Sequence, residues 1–282
     1  MEFRDKKEFN KKIENIKKDG VNNIHILSDF DGTLTKVFVK NKKTVSLISI
    51  LRDNEKYLSK EYREEANKLF NKYEKYEDDV SISLKDRKII IKEWYEKHFN
   101  LLKKSGLNIK DIYEVIESKN LEIREGIKKF VNQLSKNNIP MVVISATGLG
   151  DAIPIIFKKN NLDKNNIHFI TNYIDWDDDG YMRGLKNIII HSLNKDETVL
   201  EDYPEIFEKV RNRKNVILLG NSINDPKMIT GFDYKNLVSF GFLDREDENF
   251  KDKIELYKHN YDVVMTEGDF YFINKLFEGV LE

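Results

Sequence analysis

Two hydrophobic periodicities divide the chain. Continuous apolar runs occur at 24–28, 140–145, 167–171, 215–219, 237–242 and 262–265. Runs of this length without strict alternation are the mark of strands buried on both faces. Between them, apolar residues recur every three or four positions, so the chain reads as strands alternating with helices. That order predicts an α/β fold: a Rossmann-like core with a parallel sheet flanked by helices. The first two runs are far apart, and the stretch from 42 to 120 reads as helices only, with Leu47, Ile48 and Leu51, then Ile89, Ile90, Trp94, Tyr95 and Phe99 at helical spacing. We therefore expect a core of residues 1–40 and 121–282 and an inserted helical cap of residues 41–120. Near 174–184 the pattern changes to a hairpin, with Asp177-Asp178-Asp179-Gly180 as the turn between Trp176 and Tyr181. There is no internal repeat and no low-complexity linker.

Composition narrows the class. At 282 residues the chain is large for one core, consistent with an insertion. Its 48 Lys and Arg against 49 Asp and Glu give a net charge of -1, which offers no overall basic footprint for nucleic acid. The absence of cysteine excludes disulfides, thiolate metal sites and a cysteine nucleophile, and fits a reducing compartment, so a cytoplasmic location is expected. Met1 to Glu8 is charged without an apolar stretch, which reads as no secretory signal, and no run is long enough to cross a membrane. The expected form is a monomer acting on a small molecule.

The candidate chemistry begins where the first apolar run ends, at Ser28-Asp29-Phe30-Asp31-Gly32-Thr33. Open α/β sheets bind ligands at the carboxyl ends of their strands, and two carboxylates one residue apart at such an end suit phosphoryl transfer. A phosphate monoester is a dianion, so an attacking carboxylate requires the nonbridging oxygens to be neutralised, most simply by a divalent cation and a lysine. In this reading Asp29 is the nucleophile, and Asp31 protonates the leaving oxygen and then activates water. Ser145, closing the second run, offers its hydroxyl and the neighbouring amides of Ala146 and Thr147 to the phosphoryl oxygens, helped by a helix starting near Leu149. Lys186 supplies the point charge. Each residue also has a plainer reading: Asp29 as a polar strand cap, Asp31-Gly32 as a turn, Ser145 as a helix cap, and Lys186 as one solvated lysine among many. Asp175-Trp176-Asp177-Asp178-Asp179-Gly180 matches the start of a calcium loop, but Lys186 stands where the bidentate glutamate belongs, so turn and solvated charge fit better.

These residues resemble the haloacid dehalogenase (HAD) superfamily of phosphohydrolases, whose Asp-x-Asp-x-Thr signature is matched by Asp29, Asp31 and Thr33. Ser145, Lys186 and Gly220-Asn221-Ser222-Ile223-Asn224-Asp225 follow in the superfamily's order at later strand ends. The resemblance narrows to the pyrimidine 5'-nucleotidase family of the eukaryotic cytosol through Glu93-Trp94-Tyr95, Leu121 to Gly126, Gly148-Leu149-Gly150-Asp151, Gly184-Leu185-Lys186, Ile190-His191, Asn194-Lys195 and Gly241-Phe242-Leu243. It implies magnesium-dependent hydrolysis of nucleoside 5'-monophosphates, pyrimidine or 7-methylguanosine, through an aspartyl-phosphate. Asp29, the Asp31 carbonyl, Asn221 and Asp225 are the implied metal ligands, and Thr33 belongs to the substrate site. In the cap, Glu77 matches by spacing a carboxylate that contacts the base, Tyr95 or Trp94 is placed to stack on it, and His98 lies one turn on; their plain reading is core aromatics and a solvated charge run. Two departures stand out: Asn221 replaces an aspartate, removing a charge from the metal ligands, and Thr147 replaces a glycine in a loop one residue longer. Two alternatives therefore stand beside the active nucleotidase: a degenerate relative that binds without turnover, and a phosphatase for another small phosphomonoester.

Overall fold

The computed structural model describes residues 1–118, 121–231 and 233–281. In chain order the elements are β1 (Glu2–Phe3), α1 (Lys6–Asp19), β2 (Ile24–Ser28), β3 (Phe38–Val39), β4 (Lys42–Lys43), α2 (Leu47–Asp53), α3 (Lys60–Tyr73), α4 (Leu84–Lys104) and α5 (Ile109–Glu117). There follow α6 (Ile127–Lys136), β5 (Met141–Ile144), α7 (Ala152–Lys159), β6 (Ile167–Ile170), β7 (Ile174–Trp176), β8 (Met182–Leu185), α8 (Pro204–Val210), β9 (Asn215–Gly220), β10 (Asn236–Phe242), α9 (Phe250–Asn260), β11 (Val263–Met265) and α10 (Tyr271–Leu281).

Seven strands form the main sheet in the order β1-β11-β10-β9-β2-β5-β6. All pair in parallel except β1, which runs antiparallel to β11. Inside each continuous apolar run the period of two survives as a division between two cores. Ile26, Val143, Leu219 and Phe240 face the layer holding Phe9, Phe130 and Phe277. Leu27, Val142, Leu218 and Val264 face the layer holding Val210 and Tyr257. The sheet is thus covered on both sides, which is why its strands carry no polar alternation.

The topology fixes where a site can form. From central β2 the chain proceeds outward through β5 and β6, then returns to the other side of β2 through β9, β10 and β11. The order reverses between β5, β2 and β9, so the loops leaving these three strands diverge from one crevice at the carboxyl edge. The helices α2 to α4 line the crevice, and Leu51, Tyr62, Ala66 and Phe99 of these helices, with Ile112 of α5, are continuous with one of the two cores. Serines begin the first three of them: Ser46, Ser59 and Ser83 each accept a hydrogen bond from an amide in the first turn.

The sequence expectations require three corrections here. The edge strand β1 was not anticipated, and the β3–β4 hairpin falls partly in a stretch read as helical only. β1, β3 and β4 are two residues each, too short to carry a periodicity. The helix after Ser145 begins at Ala152 rather than near Leu149, because Gly148 to Asp151 form a turn first. The end of the expected cap, at Asn120, lies outside the described residues. The 174–184 hairpin is present, and its Asp177 accepts from the Asp179 and Tyr181 amides, the turn role expected of it. Among the described residues no helix is long and apolar enough to cross a membrane.

Candidate active site

The loop leaving β2 carries both carboxylates into the crevice. Asp29 is 5% exposed, and its Oδ2 accepts from the Thr33 hydroxyl at 3.0 Å. Thr33 also lies 3.3 Å from Asn221 Oδ1. Gly32 makes this closeness possible: it sits at φ +76°, and a Cβ there would fall 2.2 Å from Asn221 Nδ2. Behind the loop stands Arg124, 2% exposed, which donates to the carbonyls of Gly32 at 2.6 Å, Thr33 at 3.1 Å and Gly268 at 3.0 Å. Its guanidinium also forms a two-point pair with Asp244 at 2.7 and 3.1 Å and lies over the Phe242 ring.

From β5, Ser145 donates its hydroxyl to Asp31 Oδ2 at 3.4 Å and accepts from the Thr147 amide at 3.2 Å. Ala146, Thr147 and Gly148 continue as pocket wall. From β9, Asp225 turns back so that its Oδ2 accepts from the amides of Asn221 and Ser222, both at 2.9 Å. Tyr257 and Tyr261 donate to the carbonyls of Asn221 and Ser222, fixing the same turn from the side.

The lysine that meets the carboxylates is Lys195, not Lys186. Lys186 is exposed beyond the end of β8, its amide bonded to the Tyr173 carbonyl, and it does not line the crevice. Lys195 reaches in to pair with Asp29 Oδ1 and lies 3.6 Å from Asp225. The loop between the two lysines is steered by asparagines. Asn172 accepts from the Ile190 amide at 2.8 Å and donates to the carbonyls of Ile190 at 2.8 Å and Thr147 at 3.0 Å, stitching this loop to the one after β5. Asn194 closes a second turn on His191 and Ile189. His191 Nδ1 accepts from the Leu193 amide and burial pushes its pKa down to about 4, so it is a neutral structural group.

Electrostatics separate the carboxyls. Asp31 opens partly to the pocket yet is surrounded by protein; burial and the charge of Asp29 push it up to about 7, against Lys195 and Ser145. Burial, and then Asp29, also raise Asp225, although Lys195 opposes. Burial disfavours the Lys195 charge, but Asp29, Asp225 and Asp31 more than offset this and hold it protonated. Asp31 is therefore placed to carry a proton near neutral pH.

The crevice encloses about 510 Å³ beneath Phe70, Trp94, Tyr95 and Phe99. Trp94 stacks on Tyr73 at 6.3 Å and meets Tyr95 edge-on at 5.7 Å, leaving aromatic surface in the wall. Glu77 lies beside Ser192 and within the field of Lys195, its pKa raised by burial. Thus Asp29, Asp31, Ser145, Ala146, Thr147, Asn221, Asp225, Glu77 and Tyr95 border one cavity, and Thr33 sits just beneath it; of the expected residues Lys186 alone is elsewhere. Sequence reading missed Lys195, Asn172, Arg124 and Arg52 as site residues. The segments Asn194-Lys195 and Leu121 to Gly126 contained a usable signal for the first and third.

Among the described residues no three His, Cys, Asp or Glu side chains converge as a metal cage. A cation here would need the Asn221 amide oxygen and the Asp31 carbonyl beside Asp29 and Asp225. That set fits magnesium, since all its donors are hard oxygens and Asp29 Oδ2 and Asn221 Oδ1 both lie within 3.3 Å of one hydroxyl.

The family model described as Pyrimidine 5'-nucleotidase (UMPH-1) matches residues 32–280. The chain is 33% identical over 255 residues to the human 7-methylguanosine phosphate-specific 5'-nucleotidase, covering 90% of this chain and 83% of that one. It is 36% identical over 134 residues to the rat protein of the same name; this match spans less than half of either, 47% of this chain and 43% of that one. A crystal structure of cytosolic 5'-nucleotidase IIIB bound to cytidine superposes with a TM-score of 0.84 at 25% identity, over 99% of this chain and 93% of that one. A phospho-aspartyl intermediate analogue of phosphoserine phosphatase shares the fold, with a TM-score of 0.51 at 19% identity over 89% and 97% of the two chains.

Proposed function

Because this chain belongs to the pyrimidine 5'-nucleotidase family, we propose that it is a magnesium-dependent 5'-nucleotidase that releases phosphate from nucleoside 5'-monophosphates, pyrimidine or 7-methylguanosine. The observation that carries this reading is the convergence of Asp29, Asp31, Ser145 and Lys195 on the floor of a cavity walled by aromatic residues. The carboxylate of Asp29 attacks phosphorus while the ester oxygen departs with the proton of Asp31, leaving an aspartyl-phosphate and a nucleoside. Asp31, now ionised, takes a proton from water, which attacks phosphorus and frees Asp29 and inorganic phosphate. Lys195 and Ser145 meet the charge on the nonbridging oxygens. Magnesium, held by Asp29, Asp225, Asn221 and the Asp31 carbonyl, would supply further neutralisation of the phosphoryl group. In this reading residues 41–120 act as a specificity cap, with Tyr95 or Trp94 stacking on the base and Glu77 meeting its exocyclic edge. The place of action is the cytoplasm, and the chain works as a monomer.

Asn221 favours a second reading, a degenerate relative that binds nucleotide without turnover. Phosphate release from CMP, UMP, 7-methylguanosine monophosphate, AMP and phosphoserine across a magnesium titration decides between them, with Asp29→Asn as the control. Nucleotide turnover abolished in the control is the expected result. No turnover at any magnesium level would establish the second reading, and preference for phosphoserine would move the substrate class.

A further inference from the structure

Three charged side chains in the cavity wall take no part in the phosphoryl chemistry: Glu77, the exposed Asp78 and Arg52. Glu77 is engaged by its surroundings, facing Ser192 and the field of Lys195. Arg52, on α2, is different. Its side chain is only 16% exposed, and its orientation is fixed from two directions. Nε and one terminal nitrogen donate to the Asp53 carboxylate at 3.0 and 3.3 Å, while the guanidinium lies 5.1 Å from the centre of the Phe70 ring. A guanidinium has five N–H donors, and these two bonds leave three without a hydrogen-bond partner among the described residues. The cavity thus has a pre-oriented cationic edge with unused donors, set among the rings that would sandwich a base.

We propose that Arg52 is a base-selecting residue, donating to a keto oxygen of a neutral pyrimidine and rejecting a cationic N7-methylated guanine. The proposal rests on the nucleotidase reading and sets this chain apart from the human and rat relatives named for 7-methylguanosine phosphate. Three observations combine. The unused donors require acceptors, and a pyrimidine keto oxygen is one. Arg52, although paired with Asp53, sets a positive charge against a cationic ring that Glu77, Asp78 and the aromatic wall alone would welcome. The neighbouring imidazole does not substitute for it: His98 has Nε2 bonded to the Tyr62 hydroxyl at 3.0 Å and stays neutral, its pKa held near 4 by burial and then by Arg52.

The test compares wild type, Arg52→Met and Arg52→Lys on UMP and 7-methylguanosine monophosphate, with urea unfolding to verify that each variant is folded. Wild type is expected to favour UMP by at least roughly tenfold in kcat/KM. Arg52→Met should raise KM for UMP about tenfold, with kcat within about twofold, and should improve the methylated substrate. Arg52→Lys keeps the charge and loses the planar fork, so it should weaken UMP yet still reject the cationic base. An unchanged ratio between the two substrates in Arg52→Met overturns the proposal and leaves the nucleotidase reading intact. If no variant hydrolyses any nucleotide, the nucleotidase reading fails, and calorimetric binding of uridine and 7-methylguanosine still judges Arg52. Weaker uridine binding in Arg52→Met supports it, and equal binding refutes it.

Discussion

Replacing Arg124 by methionine tests how the loop after β2, which carries Asp29 and Asp31, is held. The guanidinium is 1% exposed and bonds three carbonyls and both oxygens of Asp244, itself 7% exposed in its side chain. Methionine approximates the aliphatic stem and removes every donor. The dominant loss is the carboxylate of Asp244, left buried without its counter-ion, for which breaking one side of a buried pair costs about 3–5 kcal/mol. Urea unfolding of Arg124→Met should therefore show a loss of about 4 kcal/mol. Catalysis should suffer separately, because the freed carbonyls of Gly32 and Thr33 lie in the segment that positions Asp29 and Asp31; a displacement near 1 Å corresponds to about 100-fold in kcat. The double variant Arg124→Met with Asp244→Leu separates the two effects. Removing the orphaned charge should restore on the order of 2 kcal/mol of stability while kcat stays low, since the carbonyls remain unheld. A loss below about 1 kcal/mol in the single variant would refute the burial argument. Recovery of stability and kcat together in the double variant would refute the positioning argument.

Lys195→Met should lower phosphate release by about 100-fold or more, whereas Lys186→Met, altering an exposed side chain, should stay within about twofold; equal effects in steady-state assays would contradict the assignment of the cation. Asn221→Asp restores a carboxylate to the oxygen donors and should tighten manganese binding by roughly tenfold, read by calorimetry or electron paramagnetic resonance without substrate. Stability should fall on acidification. His25 is 1% exposed with its pKa pushed down to about 4 by burial, so the unfolded chain takes up the proton first. This contribution is fully present above about pH 6.5 and is lost as pH falls toward 4, amounting to about 2 kcal/mol by pH 5. Urea unfolding of wild type and His25→Gln at pH 7 and pH 5 measures it, and an identical pH dependence in both would contradict the assignment.

Five of the six strands read from the sequence are internal and sealed on both faces, which imposes a continuous apolar run on the sequence itself; the sixth, β6, is an edge strand, half-buried at His168 and Phe169. β1 was not legible, since a two-residue edge strand is specified by its partner β11 and leaves no period of its own. The same contrast divides the site. Asp29, Asp31, Ser145 and Asp225 lie on short loops directly after β2, β5 and β9, so locating the strands nearly located the side chains. Lys195 lies ten residues beyond β8, on a loop whose path is set by hydrogen bonds from Asn172 and Asn194. In a chain with 48 lysines and arginines, residue type cannot single out one of them. What distinguishes Lys195 is that it is buried against carboxylates, on a loop whose backbone is pinned by the neutral side chains of Asn172 and Asn194. Arg124 follows the same logic, since its five contacts come from three separate loops that meet only after folding. In this fold the motif residues deliver the candidate reacting groups, and tertiary hydrogen bonding decides which lysine faces them. Searching this sequence for its cation therefore means searching for buried amides that pin a loop before searching among its lysines.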